Sequence, residues 1–294
     1  MPFTTGMRVP VNGLTQRSGW LLRGPAGWGE WSPLPSWTDA DRARGRLAAI
    51  EAAESPFPAP RSDFVLVSMM VPRVAPPAAA QLALLGGCSS VKVQVGDPEG
   101  EERVAAVRDA VGTGVTIRLV VHSPWAEDEA VHWLQRFAQY DIEYIQDPVA
   151  GLDALASLRR HVAIPVAVGV GVDTPADAAR VRVGAAADLL VVKPQRVGGI
   201  AATLAIADAA CMPVVVSSSI ETSVGLCAVA AAAAALPVSP YAHGVGTAVL
   251  FADDIVANPL LPVAGRLAVG RREDPLPNVL ARAAHQPTGE PTPC

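Results

Sequence analysis

Ser90-Val-Lys-Val-Gln-Val-Gly96 is the stretch from which the architecture can be read. Side chains alternate along a strand, so Lys92 and Gln94 share one face while Val91, Val93 and Val95 share the other. A lysine facing a barrel interior is costly to bury, and there it is either paired or chemically employed. Four further apolar runs end in polar, Gly or Pro residues: Arg118-Leu-Val-Val-His122, Glu143-Tyr-Ile-Gln-Asp147, Pro165-Val-Ala-Val-Gly169 and Leu189-Leu-Val-Val-Lys193. That rhythm predicts a parallel β/α barrel with its chemistry at the C-terminal ends of the strands.

Working outward, the pattern predicts strands at 64–70, 90–95, 115–121, 141–146, 164–169, 187–193 and 213–217, with a short eighth near 241–245. Helical patterns fill 74–86, 98–112, 125–139, 151–160, 174–183, 197–209 and 222–236. Strands alternating with helices are the parallel-sheet signature, and eight of them favour closure over an open sheet. Residues 1–60 read differently. They hold Trp20, Trp28, Trp31 and Trp37, a hairpin over Trp20–Arg23 and Trp28–Trp31 turning at Gly24-Pro-Ala-Gly27, and a helix from Asp39 to about Ala53. Ser55-Pro-Phe-Pro-Ala-Pro60 cannot continue that helix and serves as a linker. The expected domains are 1–60, an α+β cap, 61–268, the barrel, and 269–294, a tail rich in Arg, Pro and Ala that is expected to be mobile.

Composition excludes several classes of function. A net charge of −5 with no basic run argues against nucleic acid as a partner. The apolar run Ala228–Ala235 is too short to cross a bilayer, so no membrane partner is expected. The N-terminus lacks a basic region followed by an apolar run, which points to the cytoplasm. Cys88, Cys211, Cys227 and Cys294 lie far apart without a CxxC pair, as reduced thiols would. Gly169-Val-Gly171 is only a fragment of a dinucleotide-binding loop and stands in the wrong place for one.

The ordered set Arg23-Gly-Pro-Ala-Gly-Trp-Gly-Glu30, Val91-Lys-Val-Gln-Val-Gly96, Val192-Lys193 with Gly198-Gly199, Val214-Val-Val-Ser-Ser-Ser-Ile-Glu-Thr-Ser-Val-Gly225 and Tyr241-Ala-His-Gly-Val-Gly-Thr247 resembles the enolase superfamily. Within it, the set is most similar to the actinobacterial type of o-succinylbenzoate synthase. The resemblance implies a modified TIM barrel, (β/α)7β, beneath an N-terminal α+β capping domain. It also implies three carboxylates at the ends of strands three, four and five holding Mg²⁺, a Lys-x-Lys pair on strand two, and a facing lysine on strand six.

Laid on that pattern, this chain departs from it. The strand-three Asp position is Val120, and the Asn two residues on is His122. The strand-four Glu position is Gln146, followed by Asp147. The strand-five Asp-Glu pair falls on Gly169-Val170, and the second strand-two lysine is Gln94. Lys92 and Lys193 remain. Mg²⁺ wants anionic oxygens, which Val120, Gln146 and Gly169 do not offer. No metal and no other cofactor is therefore expected.

The expected catalytic set is Lys193, Lys92 and His122, with Gln94, Gln146, Asp147, Ser217, Ser218, Ser219 and His243 binding the substrate. The lysines are acid/base or electrostatic groups with pKa values lowered by burial, although Lys92 has the alternative of serving as counter-ion to Asp147 or Glu221. His122 is either a new acid/base or a satisfied histidine. Asp147 lies one residue past the lost metal position: strand parity alone would turn it away from the pocket, and the alternative is a carboxylate that reaches the site. The three serines precede a helix, whose N-terminal N–H groups suit a carboxylate ligand. His243, between glycine-rich turns, is placed to close the pocket. Glu221 and Asp173 read as helix-capping residues. A zinc site of His122, Asp147 and His243 is conceivable, but nothing in their spacing demands it.

The reading is a metal-independent lyase, isomerase or cyclase of a biosynthetic pathway, acting on an unsaturated or carbonyl-bearing carboxylic acid. Two alternatives stay open: a non-catalytic binding protein using the inherited pocket, and a true Mg²⁺-dependent o-succinylbenzoate synthase. The partner is a small-molecule substrate, and both monomer and dimer are compatible with the alanine-rich outer helices.

Overall fold

A computed structural model of the chain describes residues 1–270 and 272–279. The cap is an antiparallel sheet of β1 (Pro2–Val11), β2 (Leu14–Gly24) and β3 (Gly27–Trp31), backed by α1 (Asp39–Glu54). The hairpin expected from the Trp/Gly pattern is β2–β3, closed by the pair Gly24 and Gly27. β1 was not foreseen. It joins β2 through Asn12-Gly13, whose φ values of 51° and 80° are those of a type I′ turn, matched to strand twist. Thr38 opens α1 in a capping box. Its Oγ1 accepts from Asp41 N at 3.2 Å, and its own N–H donates to Asp41 Oδ2 at 3.0 Å.

After the linker, β4 (Phe64–Leu66) leads into the barrel strands β5 (Ser68–Val71), β6 (Ser90–Val95), β7 (Thr116–Val121), β8 (Ile142–Gln146), β9 (Val166–Val168), β10 (Leu189–Val192) and β11 (Val214–Val216). These seven are parallel neighbours in chain order. Around them run α2 (Pro76–Ala83), α3 (Gly100–Val111), α4 (Glu127–Phe137), α5 (Leu152–Arg159), α6 (Pro175–Val183), the short α7 (Pro194–Val197), α8 (Ile200–Ala210) and α9 (Ser223–Ala235). The expected eighth strand shrinks to His243 and Gly244. His243 N donates to Leu66 O at 2.7 Å and Gly244 N donates to Val216 O at 2.8 Å, which closes the ring. β12 (Arg266–Ala268) then pairs antiparallel with β4 below the barrel.

Parity divides the strands as the sequence implied. Val91, Val93 and Val95 are fully buried between strand and helices, and together their burial contributes on the order of 5 kcal/mol. Inside, register sets the layers. Lys92, Arg118 and Tyr144 are direct neighbours on β6, β7 and β8, and one layer nearer the mouth come Gln94, Val120 and Gln146. Arg118 is buried, pairs with Glu143, donates to Ala242 O at 2.6 Å, and lies 4.9 Å from the Tyr144 ring and 5.8 Å from that of Tyr241. It floors the interior with a fixed cation.

Polar keys dock the cap on the barrel. Glu51 of α1 accepts from Ile200 N and Ala201 N, capping α8 from outside its own chain segment. Asp173, expected to cap α6, is displaced from that role by Thr174, which forms a capping box with Asp177. Asp173 instead faces Arg44 at 3.1 Å and Arg196 at 3.5 Å. Residues 272–279, the described part of the expected tail, contact the rest of the chain. Arg272 donates to Ala52 O and Ser55 O, Asp274 accepts from Trp28 Nε1, and Leu276 N donates to Ile255 O, so this stretch is tied to the cap and barrel. The remainder, 280–294, lies outside the described residues. Among the described residues no helix is long and apolar enough to cross a membrane.

Candidate active site

At the C-terminal ends of the strands, under the cap, lies a cavity of about 120 Å³. Lys92, Gln94, His122, Gln146, Asp147, Lys193, Ser217, Ser218 and Ser219 all line it, so nine of the ten expected site residues converge. Its apolar wall is Val11, Leu34, Met70, Val120, Val121, Val170 and Ile220. A larger open cleft of about 950 Å³ runs between β1 and residues 248–262, away from both lysines.

Lys92 is buried and donates from Nζ to Ser217 Oγ at 3.3 Å. Burial pushes its amine down to about 7; the charges of Lys193 and Arg118 act in the same direction, against Asp147. Lys193, the residue after β10, is also lowered by burial, with Asp147 and Glu221 opposing. These two cations face each other's strands without an ion pair. Among the described residues no carboxylate oxygen comes within 4 Å of either.

His122 lines the cavity and is hydrogen-bonded through one ring nitrogen. Gln94 Oε1 accepts from Arg73 N, which fixes the amide so that Gln94 Nε2 donates to His122 Nε2 at 2.7 Å. Asn12 Nδ2, at the tip of the β1–β2 hairpin, reaches the same ring nitrogen at 3.2 Å. Nε2 therefore carries the lone pair and Nδ1 the proton. Burial, with Lys193, Lys92 and Arg73 nearby, holds the ring down to about 4, so at neutral pH the imidazole is uncharged.

Asp147 departs from strand parity. Its φ of 52° turns the chain at the end of β8 and brings the carboxylate to the cavity, where the residue is buried. There Oδ1 accepts from Gly169 N at 2.8 Å and Val170 N at 3.1 Å, and Oδ2 accepts from Gln146 Nε2 at 2.9 Å. A Cβ at residue 169 would lie 2.8 Å from Val191 O and 3.1 Å from Gln146 Nε2, so the cluster leaves no room for a side chain there. Val120 offers no donor atom, and Gln146 offers Oε1, buried without a partner among the described residues. One amide oxygen beside a carboxylate already spent on three N–H donors does not fit Mg²⁺. Among the described residues no group of three or more His, Cys, Asp and Glu is arranged to hold a metal ion.

The serine block is partly committed. Ser218 Oγ donates to Glu221 Oε2 at 2.6 Å, and Ser219 N donates to the same oxygen at 2.7 Å. The N-terminus of α9, expected to receive a ligand carboxylate, is filled by the buried Glu30 of the cap. Glu30 accepts from Thr222 N at 3.2 Å, from Gly225 N at 3.0 Å and from the hydroxyls of Thr222 and Ser32. Burial pushes its carboxyl up to about 7, against the Ser32 and Thr222 hydrogen bonds. Glu221 thus ties the turn before the helix and leaves the dipole to Glu30. Ser217 Oγ, and Ser219 Oγ, which has no partner among the described residues, stay available to a ligand.

His243 is the expected site residue that the structure places elsewhere. Gly244 pairs with Ser217 and faces the mouth, so His243, one residue earlier, points the other way. Its Nδ1 accepts from Val216 N at 3.0 Å, and it lines a separate pocket with Tyr241 and Arg61. This also removes it from any zinc site with His122 and Asp147.

Sequence reasoning missed Asn12, Arg17 and Arg118. Asn12-Gly13 is the strongest short hairpin signal and was there to be read. Arg17, buried, donates to Ile220 O at 2.9 Å and to Ser219 O at 3.2 Å, pinning the cavity wall from the cap. Ile220 there has φ 66°, a strained conformation for a β-branched residue. No local signal marks Arg17, because its partners on the cavity wall, Ser219 and Ile220, are some 200 residues away.

A barrel with facing lysines at the ends of its second and sixth strands, roofed by an α+β cap, is an enolase-type architecture, and the chain belongs to the enolase superfamily. Residues 77–274 match the enolase C-terminal domain-like family and residues 3–53 the enolase N-terminal domain-like family. Among curated relatives, the o-succinylbenzoate synthase of Thermobifida fusca is 43% identical over 274 residues, 92% of this chain and 86% of that protein. That of Mycolicibacterium smegmatis is 37% identical over 288 residues, covering 96% and 88%. Among solved structures, a muconate lactonizing enzyme from Pseudomonas fluorescens complexed with muconolactone superposes with a TM-score of 0.82 at 17% identity, covering 96% of each chain. A dipeptide epimerase from Enterococcus faecalis, complexed with Mg and a dipeptide, gives 0.80 at 20% identity, covering 93% of this chain and 96% of that one. These structures share the fold.

Proposed function

We propose that this chain catalyses a metal-independent lyase, isomerase or cyclase step on a compact unsaturated or carbonyl-bearing carboxylic acid. The observation that carries the reading is the refilling of the three strand ends. Val120, Gln146 and Gly169 present one amide oxygen, and Asp147 is consumed by Gly169, Val170 and Gln146. Negative charge developing on the substrate is then stabilised by the lysine side chains in place of a metal. Lys193 and Lys92 supply acid/base or electrostatic function, and His122 and Gln94 orient the substrate. Ser217 and Ser219 receive its carboxylate, and Gln146 Oε1 accepts from a donor group on it. A cavity of about 120 Å³ suits a ligand near the size of a single ring, since an engineered cavity of ~150 Å³ binds benzene.

The 43% identity favours a second reading, conversion of the substrate of the o-succinylbenzoate synthases, and the donor set opposes it. Magnesium titration by calorimetry, with melting in the presence and absence of chelator, separates the two. The expected result is no saturable binding and an unchanged melting temperature. Micromolar to low-millimolar binding would overturn the metal-independent reading.

A further inference from the structure

The chain has 23 lysine and arginine residues, and only two of them, Lys92 and Lys193, are lysines. Both line the cavity described above at the barrel mouth. Elsewhere arginine carries every such charge, on the surface, in ion pairs and even in the barrel floor at Arg118. What lysine has that arginine lacks is an amine that burial can neutralise, leaving a nucleophilic lone pair.

Lys92 meets the structural requirements for that chemistry. It is buried, it has no carboxylate within 4 Å among the described residues, and its Nζ is aimed across the barrel at Ser217 Oγ, 3.3 Å away. Met70, Val120 and Ile220 give the cavity it lines an apolar wall. A second cation, Lys193, stands in the same cavity, an arrangement that favours the neutral amine at its neighbour.

We propose that Lys92 forms an imine with the carbonyl carbon of a keto or aldehyde acid, so that an iminium serves as the electron sink for which the fold family uses a metal. This rests on the carbonyl-bearing acid reading above and adds how the carbonyl is engaged. The Nζ lone pair forms the C–N bond while the carbonyl π pair moves to oxygen. A proton shifts from nitrogen to that oxygen, giving the carbinolamine. The Lys193 ammonium gives its proton to the hydroxyl, the C–O bond breaks, and water leaves as the nitrogen lone pair closes C=N. One amine, one carbonyl and one proton become one iminium and one water, with no redox partner.

The test is reductive trapping of the wild-type chain with acetoacetate and with 2-oxobutanoate in the presence of cyanoborohydride, read by intact mass and peptide mapping. The expected product is a single adduct at Lys92, heavier by the mass of the probe less one oxygen, whose yield rises with pH through neutrality. Lys92→Arg and Lys92→Met, each checked for folding by circular dichroism, lose it. Adducts confined to Lys193 or the N-terminal amine would overturn the assignment. Calorimetric binding of the probes without any reducible adduct would overturn the imine and leave the metal-independent acid reading standing. Neither binding nor adduct with either probe would overturn both.

Discussion

Gly169 and Asp147 join the ends of two neighbouring strands at the mouth of the barrel, the Gly169 N–H donating to Asp147 Oδ1 at 2.8 Å. With Val170 N and Gln146 Nε2 on the same carboxylate, Asp147 organises the ends of two strands and stands as an anion near two lysines. Asp147→Ala leaves one buried and two partly buried donors unmatched and is expected to cost roughly 1–3 kcal/mol, read as a lower urea midpoint. Asp147→Asn recovers part of this through its remaining oxygen. Both lysines also lose the group that holds their pKa up, so the acid limb of any Lys92-dependent profile moves to lower pH. An unmoved limb would show that Asp147 is uncoupled from them.

Restoring a carboxylate at position 169 is not expected to restore a metal site. A Cβ there stands 2.8 Å from Val191 O, a backbone atom that cannot rotate aside. Gly169→Ala and Gly169→Asp are both expected to destabilise by roughly 1–3 kcal/mol, and calorimetry of Gly169→Asp with Mg²⁺ should show no saturable binding. A tight magnesium site in this single variant would mean that the Asp147 cluster yields readily.

Gly244 has a similar constraint on the opposite side. A Cβ would meet Ser217 Oγ at 2.5 Å, and that hydroxyl is the acceptor for Lys92 Nζ. Gly244→Ala should therefore weaken binding of keto-acid probes more than it lowers the melting temperature, because Ser217 can rotate away at small cost to the fold. Equal affinity in calorimetry for variant and wild type would remove Ser217 from the ligand contacts.

The barrel was legible because its apolar strands carry a period of two and end in recognisable turn residues. Lys92 and Gln94 then follow from parity, and Lys193 and Ser217 from their places at strand ends. Parity failed at Asp147, where a positive φ reverses the side chain, and the position of His243 between glycine-rich turns misled, because the two-residue eighth strand turns Gly244 inward instead. The occupation of the α9 N-terminus by Glu30 was not readable either. It joins residues some 190 positions apart, and local patterning does not report which of several acids fills a helix end.

Arg17 is predicted to matter out of proportion to its distance from the lysines. Its guanidinium spans Ser32, Ile220 and Ser219, holding the cap to a cavity wall that contains a strained Ile220. Arg17→Met leaves several buried carbonyls without donors and is expected to cost roughly 3–5 kcal/mol. Amide exchange in the variant should accelerate at 217–222 and in β2 before it does in the outer helices. Uniform acceleration would indicate global destabilisation in place of a local hinge.

Lys92 ties stability to pH in a direction opposite to most lysines. Its folded-state pKa is depressed to about 7, while the unfolded chain titrates near the ordinary lysine value. Between those two values the unfolded state binds the extra proton, so unfolding free energy rises with pH by up to ~1.4 kcal/mol per unit. Below about pH 7 both states are protonated, and the fold bears the whole cost of the buried ammonium, on the order of 4 kcal/mol. Lys92→Met removes that cost and fills a similar volume. The variant is therefore expected to be more stable than wild type at pH 6, with the difference shrinking steadily toward pH 10. Paired denaturant titrations across that range check it. A pH-independent difference would mean that the amine is not depressed and that its neutral form is scarce at pH 7, which would weaken the case for nucleophilic chemistry at this residue.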